Sequence, residues 1–434
     1  MRHLTPDEAA GELRPFDTLC IPLGPGQPPR FLEALGRRTD WQELRIIGSL
    51  LTVLSDVFTH PNVHYLSGFY GPLERMLRDS GANIGFTPSD FRRGIQLIAT
   101  AKPRVLATAA APPDADGFCS LSLHAGATVA ELHAAAAESD RLVIVEVSDA
   151  FPRTYGSSIA DHRLHVDEID ILVSSDATPV EIDDVPATDV DRAIGEHVRG
   201  FVPDGATLQT GIGSIPSAVA GLLADGDGGD YGIHSEMFTT GLMRLHQSGK
   251  VTNRKGHWDG VSVATFAAGT RELYEWLDDN HDVAFLPVDL VNSPETIARN
   301  RRCVTINGAL SVDIHGQVVA DTIAGAQYSG IGGHEDFVSA PALSLDARSL
   351  LCLPSTITVG GELRSRIVAS FPAGTVITTP RHQTEVIVTE FGAAELQGLT
   401  VHQRGEALAA IAHPSFRDEL LDAAERASGG RSVL

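Results

Sequence analysis

The sequence predicts an α/β fold with mainly parallel sheets, and three observations support this prediction. Short runs of Val, Ile and Leu recur without polar alternation, which is typical of strands buried on both faces. Helix-like segments lie between the runs, and such alternation favours parallel α/β layers. The chain has 434 residues, which is too long for one ordinary core and suits two domains of roughly 200 residues each. The predicted strands lie at 18–23, 44–51, 104–110, 141–147, 283–288, 349–355, 375–379 and 385–390.

The best candidate for a domain boundary is the stretch 177–191, which combines two prolines with a run of acidic residues. No apolar periodicity crosses this stretch, as expected of an exposed linker. A helix-like segment follows at 189–202 and leads into a new strand. We therefore predict an N-terminal α/β domain over residues 1–186 and a C-terminal α/β domain over residues 187–434.

The composition excludes several classes of protein. A balance of 33 Lys and Arg against 56 Asp and Glu gives a net charge of −23, which argues against a nucleic-acid partner or an anionic membrane surface. No apolar run approaches the roughly 20 residues needed to span a bilayer. The four cysteines form no CxxC pair and no zinc spacing, which fits the reduced cytoplasm and predicts no metal site. We expect each cysteine to be a small buried hydrophobic residue.

The densest local signal is the sequence GATLQTGIGSIPSAVAGLL at 205–223, where a strand-like run meets a glycine turn and a helix follows. Gly211 and Gly213 let a ligand approach the backbone closely. The N-terminus of the helix offers free N–H groups to a phosphate or another anion. The same sequence is also typical of a tight strand–helix turn that binds no ligand. A dinucleotide-binding fingerprint, with Glu236 as the ribose-binding acid, is a weaker alternative because Pro216 occupies the place of the third glycine.

Two further segments carry residues suited to catalysis. In GIHSEMFTTG at 232–241, Glu236 has apolar neighbours, and partial desolvation of a carboxylate raises its pKa. A strand-end acid in a salt bridge is the structural alternative. In YSGIGGHEDF at 328–337, three glycines within four positions can aim backbone N–H groups at an anionic oxygen, although a flexible turn has the same composition. His334 has no visible Ser or Cys partner, so we do not assign it as a base.

Taken together, these segments resemble the acetyl-CoA hydrolase/transferase family, which includes 4-hydroxybutyrate CoA-transferases and succinyl-CoA:acetate CoA-transferases. The resemblance covers nearly the whole chain, in one order of motifs. Two stretches depart from the family pattern, at 146–148 and 378–388, and both bear on the shape of the acyl pocket. Besides the three segments above, the resemblance rests on PPDADGFCSLSL (112–123), VIVEVSDAFPRTYGSS (143–158), FAAGTRELY (266–274), INGALSVDIHGQV (306–318), SRIV (365–368), VTEFG (388–392) and IAHPSFRDEL (411–420).

The resemblance implies two tandem, similar α/β domains with the active site at their interface. It implies that Glu236 is the carboxylate that becomes covalently loaded and that Asn292 positions the acyl or carboxylate group. The backbone N–H of Gly333 would donate to the thioester oxygen. The residues implied to contact CoA are Gly211, Ile212, Gly213, Ser214, Ile215, Asn307, Ser329 and Gly333.

The function that we expect is transfer of CoA between a short-chain acyl-CoA and a carboxylic acid, by a ping-pong route through a glutamyl-CoA thioester. Coenzyme A and acyl-CoA are then substrates, and no tightly bound cofactor is expected. The partners are small molecules, without nucleic acid or membrane, and we expect a homodimer in the cytoplasm. An acyl-CoA hydrolase using the same glutamate is the nearest alternative. A non-catalytic metabolite-binding protein and an NAD-dependent oxidoreductase are more distant alternatives.

Overall fold

A computed structural model of the chain describes residues 1–427. Residues 2–174 form an eight-stranded sheet in which every neighbouring pair is parallel. Its strand order is β1-β10-β8-β6-β2-β3-β4-β5. The strands of this half are β1 (Arg2–His3), β2 (Phe16–Leu23), β3 (Glu43–Ser49), β4 (Val63–Ser67), β5 (Ile84–Phe86), β6 (Val105–Ala110), β7 (Phe118–Ser120), β8 (Leu142–Val147), β9 (Arg163–His165) and β10 (Ile171–Ser174).

Helices connect most of these strands. They are α1 (Pro6–Gly11), α2 (Pro29–Gly36), α3 (Pro72–Asp79), α4 (Gly94–Ala101) and α5 (Val129–Ala136). Pro29 begins α2, where its missing N–H has no cost. The Glu146 carboxylate at the end of β8 accepts hydrogen bonds from the next two backbone N–H groups, at 3.1 Å from Arg30 and 2.9 Å from Phe31. This buried acid therefore caps α2 and fixes the helix against the sheet.

Residues 207–395 contain a second, six-stranded sheet with the order β12-β11-β17-β22-β26-β27. All of its pairs are parallel except the last, which is antiparallel. Short two- and three-stranded ladders complete this half. Its strands are β11 (Thr207–Thr210), β12 (Gly232–Ile233), β13 (Met237–Phe238), β14 (Ser262–Ala264), β15 (Phe266–Ala267), β16 (Val283–Phe285), β17 (Cys303–Gly308), β18 (Ser311–Asp313), β19 (Val318–Val319), β20 (Thr322–Ile323), β21 (Ala326–Gln327), β22 (Arg348–Cys352), β23 (Thr356–Val359), β24 (Glu362–Ser365), β25 (Ile367–Val368), β26 (Val386–Thr389) and β27 (Gly392–Glu395).

The helices of this half begin with α6, where Thr188 and Asp191 form a reciprocal capping box. One side of α6 buries Ile194 and Val198 under the second sheet, which is the amphipathic pattern that the sequence shows. The helices are α6 (Asp189–Arg199), α7 (Ser214–Asp225), α8 (Thr240–Gln247), α9 (Arg271–Leu277), α10 (Val288–Val291), α11 (Pro294–Ala298), α12 (His334–Ser339), α13 (Val401–Ala410) and α14 (Arg417–Ala427).

The largest buried cluster joins the two halves of the chain. One face of the first sheet contributes Leu106 and Val145, and the segment 233–288 contributes Phe238 and Phe285 to the same core. The opposite face of the first sheet packs on its own helices, around Phe31 and other residues of the first half. The halves are therefore held together by continuous apolar packing.

The α/β class with mainly parallel sheets is confirmed, and most predicted strands coincide with observed ones. The prediction of a strand at 375–379 is wrong. The stretch 375–378 has no regular structure, and Thr379 forms only an isolated bridge with Val318. Val376 is 49% exposed, and the backbone N–H groups of residues 378 and 379 both donate to the Val318 carbonyl. This stretch is therefore a loop, although its β-branched composition is typical of a strand.

Residues 175–188 contain no helix or strand. The boundary that we predict at residue 186 lies in this stretch and stays a prediction. Between residues 1 and 427, no helix is long and apolar enough to cross a bilayer.

Candidate active site

Three parallel strands bring the predicted site residues to one edge of the second sheet. β11 lies between β12 and β17, with Leu208 paired to Ile233 and Thr210 paired to Ile306. Because the carboxyl ends of parallel strands meet at one edge, the glycine turn after β11 lies beside the segment that follows β12. The Ser235 hydroxyl donates to the Thr210 carbonyl across 3.0 Å and ties the two segments together. Glu236 is the next residue.

The Glu236 carboxylate is partly buried and held by two donors. The Asn292 amide Nδ2 donates to Glu236 Oε2 across 2.6 Å. The backbone N–H of Gly333 is the second donor. The Glu236 carbonyl also accepts from the N–H groups of Thr265 at 2.9 Å and Phe266 at 3.2 Å, so the backbone on which the carboxylate stands is fixed. The structure therefore brings together Glu236, Asn292 and Gly333.

Gly333 allows this close approach because it has no side chain. A Cβ at this position would lie 1.9 Å from Glu236 Oε2 and 2.4 Å from Asn292 Nδ2, far inside van der Waals contact. Gly333 is also the N-cap of α12, which places its N–H beside the carboxylate. A glycine is thus required by contact with Glu236, and its backbone conformation (φ −90°) is one that other residues adopt.

Asn292 connects Glu236 to a second carboxylate that sequence reasoning did not identify. Its Nδ2 also donates to Asp336 Oδ2 across 3.0 Å. Asp336 is completely buried on α12 and forms an ion pair with Arg92 from the first half of the chain. Asp336 belongs to the 328–337 motif, so its proximity to Gly333 was readable in the sequence. Nothing in the sequence connects Arg92 to this site.

A buried histidine holds Asn292 in place. His234 Nε2 hydrogen-bonds the Val291 carbonyl at 2.7 Å, and its Nδ1 lies 3.1 Å from the amide nitrogen of Asn300. Burial lowers the pKa of His234 to about 4, so the imidazole is neutral. With Nε2–H donating to a carbonyl, Nδ1 is left to accept from Asn300. Sequence reasoning missed this role of His234. Its position two residues before Glu236 was the available signal.

Three acids beside one another have raised pKa values. Burial raises the pKa of Glu236 to about 7, and the nearby Asp336 charge adds to this effect. The hydrogen bonds from Asn292 and Gly333 act in the opposite direction. Burial also raises the pKa of Asp336 to about 6 and that of Glu335 to about 7. Glu236 is therefore a desolvated carboxylate that titrates near neutral pH, as its apolar sequence neighbours predict.

The first half of the chain forms the opposite wall of the site. Phe91 N–H donates to the Gly332 carbonyl across 2.9 Å, and Asp90 and Gly332 form a parallel bridge. The loop also packs closely on Phe69, since a Cβ at Gly330 would lie 2.8 Å from its Cα. The glycine loop that contacts Glu236 is therefore clamped between the two halves, and the site lies at their interface, as predicted.

A cavity of about 210 Å³ extends from Glu236 into the first half of the chain. Its walls are largely aliphatic and aromatic, and include Ile21, Ile47, Leu50, Phe69, Phe91 and Phe266. The two stretches that depart from the family pattern, 146–148 and 378–388, do not line it. Glu146 caps α2, and Thr379 bonds with His334 and Glu335. That the two stretches bear on the shape of the acyl pocket stays a prediction.

The residues expected to contact CoA lie outside this cavity. The turn Gly211–Gly213 follows β11 with Ile212 48% exposed, and Gly213 adopts φ +118° as the N-cap of α7. Asn307 lies in β17, and its side chain bonds with Gln209 at 3.3 Å. At the start of α7 the Ser217 hydroxyl donates to Asp184, and the Ser214 side chain bonds with Asp191. Ile215 packs partly against the core under the second sheet, and Ser329 lies in the loop that ends at Gly333.

Other candidate groups take structural roles. His334 Nε2 contacts the Thr379 hydroxyl at 2.9 Å, and burial lowers its pKa to about 4. All four cysteines are buried and free, which confirms that prediction. Among residues 1–427, no group of three or more His, Cys, Asp or Glu side chains is arranged to hold a metal ion.

Comparisons with known proteins agree with this geometry. Residues 269–424 match the family model of the acetyl-CoA hydrolase/transferase C-terminal domain. The chain is 35% identical to the succinyl-CoA:cyclohexane-1-carboxylate CoA transferase of Geobacter metallireducens, over 97% of this chain and 94% of that protein. It is 36% identical to the butyryl-CoA:acetate CoA-transferase of Anaerostipes caccae, over 98% and 96%.

The fold is also similar to that of a solved structure. The crystal structure of RipA from Yersinia pestis superposes with a TM-score of 0.90 at 32% identity, over 98% of each chain. The similarity to all three proteins spans both halves of the chain. From these similarities and the arrangement around Glu236, we conclude that the protein is an enzyme of the acetyl-CoA hydrolase/transferase family.

Proposed function

We propose that the protein transfers CoA between an acyl-CoA and a carboxylic acid, with Glu236 as the nucleophile that carries CoA between two half-reactions. The observation that supports this most directly is a desolvated carboxylate held by Asn292 Nδ2 and the Gly333 N–H at the end of an apolar cavity. A carboxylate in that setting is poorly solvated and strongly nucleophilic once ionised.

The proposed transfer reaction passes through an anhydride and a glutamyl-CoA thioester. A Glu236 carboxylate oxygen attacks the thioester carbonyl, the C–S bond breaks, and an acyl-glutamyl anhydride and a CoA thiolate form. The thiolate then attacks the glutamyl carbonyl, which releases the acyl group as a carboxylate and leaves a glutamyl-CoA thioester. A second carboxylate reverses these steps and leaves as its CoA thioester. No net proton transfer or redox change occurs.

Asn292 and Gly333 supply the donors that these steps need. Each attack creates an oxyanion, and preorganised N–H groups in a partly dry site stabilise it, at about 2.7–4 kcal/mol per donor by analogy. The same groups bind the ionised carboxylate between turnovers. Asp336 fixes the Asn292 amide from the other side, so Nδ2 stays aimed at Glu236.

We propose that CoA lies along Gly211–Ile215, with Asn307 and Ser329 as further contacts. The turn is exposed, follows a strand whose neighbour leads to Glu236, and shares the sheet edge with Asn307. The large CoA group then supplies binding energy remote from the reacting carbonyl. A homodimer and a cytoplasmic location stay predictions.

A mass-spectrometric experiment tests the role of Glu236. Incubation with acyl-CoA alone should give a protein adduct with the mass of CoA, which disappears when a carboxylate acceptor is added. Glu236→Ala should lose both the adduct and transfer while it still binds acyl-CoA. An adduct mapped to another residue, or near-wild-type transfer by Glu236→Ala, would show that the assignment is wrong. Thiol release without an acceptor carboxylate, at the rate of transfer, would instead identify a hydrolase.

A further inference from the structure

The cavity beside Glu236 has the composition of a site for a hydrocarbon chain. Ile21 and Phe266 are 1% exposed in its wall, and Ile98 is 8% exposed. Leu66 and Leu97 also line it and are each 43% exposed, which places them where the cavity meets solvent. A ligand that enters past these leucines would exchange water for apolar contacts along its whole length.

The charges in the cavity are unsuited to a second negative group. Among the described residues that line it, none is Lys or Arg, and the ionisable ones are Asp90, Glu236 and His124. Burial lowers the pKa of His124 to about 3, so this imidazole is neutral. Arg92, which follows the lining residue Phe91, is committed to Asp90 at 2.8 Å and to Asp336. A distal carboxylate would therefore be buried without a cationic partner and near an acid.

The cavity is also separate from the surface proposed for CoA. The residues Gly211–Ile215, Asn307 and Ser329 do not line it, whereas Glu236, Met237 and Gly332 do. Glu236 thus lies between the two regions. A thioester carbonyl placed at its carboxylate can direct its sulfur toward the glycine turn and its acyl chain into the cavity.

We infer that this cavity receives the acyl chain and selects uncharged hydrocarbon acyl groups over dicarboxylic ones. The inference rests on the proposed CoA-transferase function and specifies its substrate class. The volume of about 210 Å³ exceeds the ~150 Å³ of an apolar engineered cavity that holds benzene. By that comparison, a chain of about six to eight carbon atoms fits, and a two-carbon acyl group leaves most of the cavity unfilled.

Chain length gives the first test. With one CoA donor held constant, kcat/KM for the acceptor should rise about fourfold per added methylene from acetate to hexanoate, because each methylene leaves water. It should fall once the chain exceeds the cavity. A flat profile would mean that something other than the acyl chain occupies the cavity, and it would overturn the inference.

Charge gives the second and sharper test. Succinate and 4-methylpentanoate have nearly the same shape, since a distal carboxylate in one replaces a distal isopropyl group in the other. We expect kcat/KM for 4-methylpentanoate to be about 100-fold higher or more, because desolvation of an unpaired carboxylate is costly. Equal values, or a preference for succinate, would overturn the inference.

A pair of variants separates the cavity from the surface at large. Leu97→Arg places a cation at the cavity mouth on α4, and Leu421→Arg places one on α14, at a side chain with a similar exposure of 40%. The ratio of kcat/KM for succinate to kcat/KM for 4-methylpentanoate should rise at least tenfold in Leu97→Arg. It should stay unchanged in Leu421→Arg. An unchanged ratio in Leu97→Arg would show that this cavity is not the acyl site.

These outcomes are distinct from failure of the proposed function. If no carboxylate accepts CoA, or if Glu236→Ala retains transfer, the CoA-transferase assignment fails. If transfer through Glu236 holds and succinate is the better acceptor, only the inference about the cavity fails.

Discussion

Asn292 Nδ2 lies 2.6 Å from Glu236 Oε2 and 3.0 Å from Asp336 Oδ2, so one buried amide joins two carboxylates. Asn292 is fully buried, and within the described residues its Oδ1 has no hydrogen-bond partner. The amide therefore has one well-defined orientation, with its NH₂ group toward the acids. This arrangement places an amide N–H group, and not a second carboxylate, against the desolvated glutamate that we propose as the nucleophile.

Asn292→Ala should reduce the rate of CoA transfer by about 100-fold or more, which is the usual effect of removing one oxyanion donor. The two carboxylates would lose their shared donor and the pKa of Glu236 should rise further, since Asn292 lowers it. Steady-state kinetics should show the loss in kcat, and the dissociation constant of acyl-CoA should change little. A rise in KM with unchanged kcat would contradict a role at the reacting carboxylate.

Gly333→Ala should inactivate the enzyme while leaving it folded. The new Cβ would lie 1.9 Å from Glu236 Oε2, so the carboxylate must move, and a displacement of about 1 Å can cost ~100-fold in rate. Gly221→Ala is the matched control, because nothing lies within 4 Å of a Cβ at that position in α7. Transfer assays and thermal denaturation of both variants test the prediction. Wild-type activity in a folded Gly333→Ala protein would refute the close contact.

The first half-reaction should weaken as the pH falls through about 7. The pKa of Glu236 is raised to about 7, so protonation removes the nucleophilic carboxylate below that pH. Asp336→Asn removes a negative charge that raises this pKa, and the acidic limb should therefore move to lower pH. Single-turnover formation of the CoA adduct, measured across pH, isolates this step.

Asp90→Asn is the control variant for the shift of the acidic limb expected in Asp336→Asn. The Asp90 charge acts on Glu335 and Asp336, and Asp90 is not among the groups that shift Glu236. In Asp90→Asn, the acidic limb of the pH profile for adduct formation should stay closer to that of the wild type. A limb that moves equally in both variants would mean that the profile reports the whole acidic cluster around Arg92 and not Glu236.

Gly211→Val should weaken CoA binding without straining the backbone. A Cβ at Gly211 meets nothing within 4 Å, whereas Gly213 at φ +118° would strain any side chain and confound the test. We expect the dissociation constant of CoA to rise about tenfold, because a branched side chain blocks close approach to the turn. Gly229→Val, at another open glycine, is the control. Equal CoA affinity in Gly211→Val and the wild type would place CoA elsewhere.

The sequence by itself determined the layers and pointed to Glu236, the proposed nucleophile. Unbroken apolar runs such as 141–147 predict buried parallel strands because only strands covered on both faces lack polar alternation, and β8 occupies that run. The apolar neighbours of Glu236 predicted a desolvated carboxylate with a salt-bridged acid as the alternative, and the resemblance to the family implied its catalytic role. The glycines at 330, 332 and 333 predicted backbone N–H donors or a flexible turn, and the N–H of Gly333 lies beside the Glu236 carboxylate. Composition misled only where β-branched residues at 375–379 form a loop.

Only the tertiary structure decided which groups act on that nucleophile. Arg92 and Asp336 are separated by 244 residues and meet because the two halves share one core. The apolar cavity likewise combines β2, β3 and α4 with Glu236 and Phe266. Such contacts depend on how layers stack, and local periodicity carries no information about stacking. The pKa of Glu236 follows from the same packing, since burial and the charge of Asp336 exist only after the halves come together.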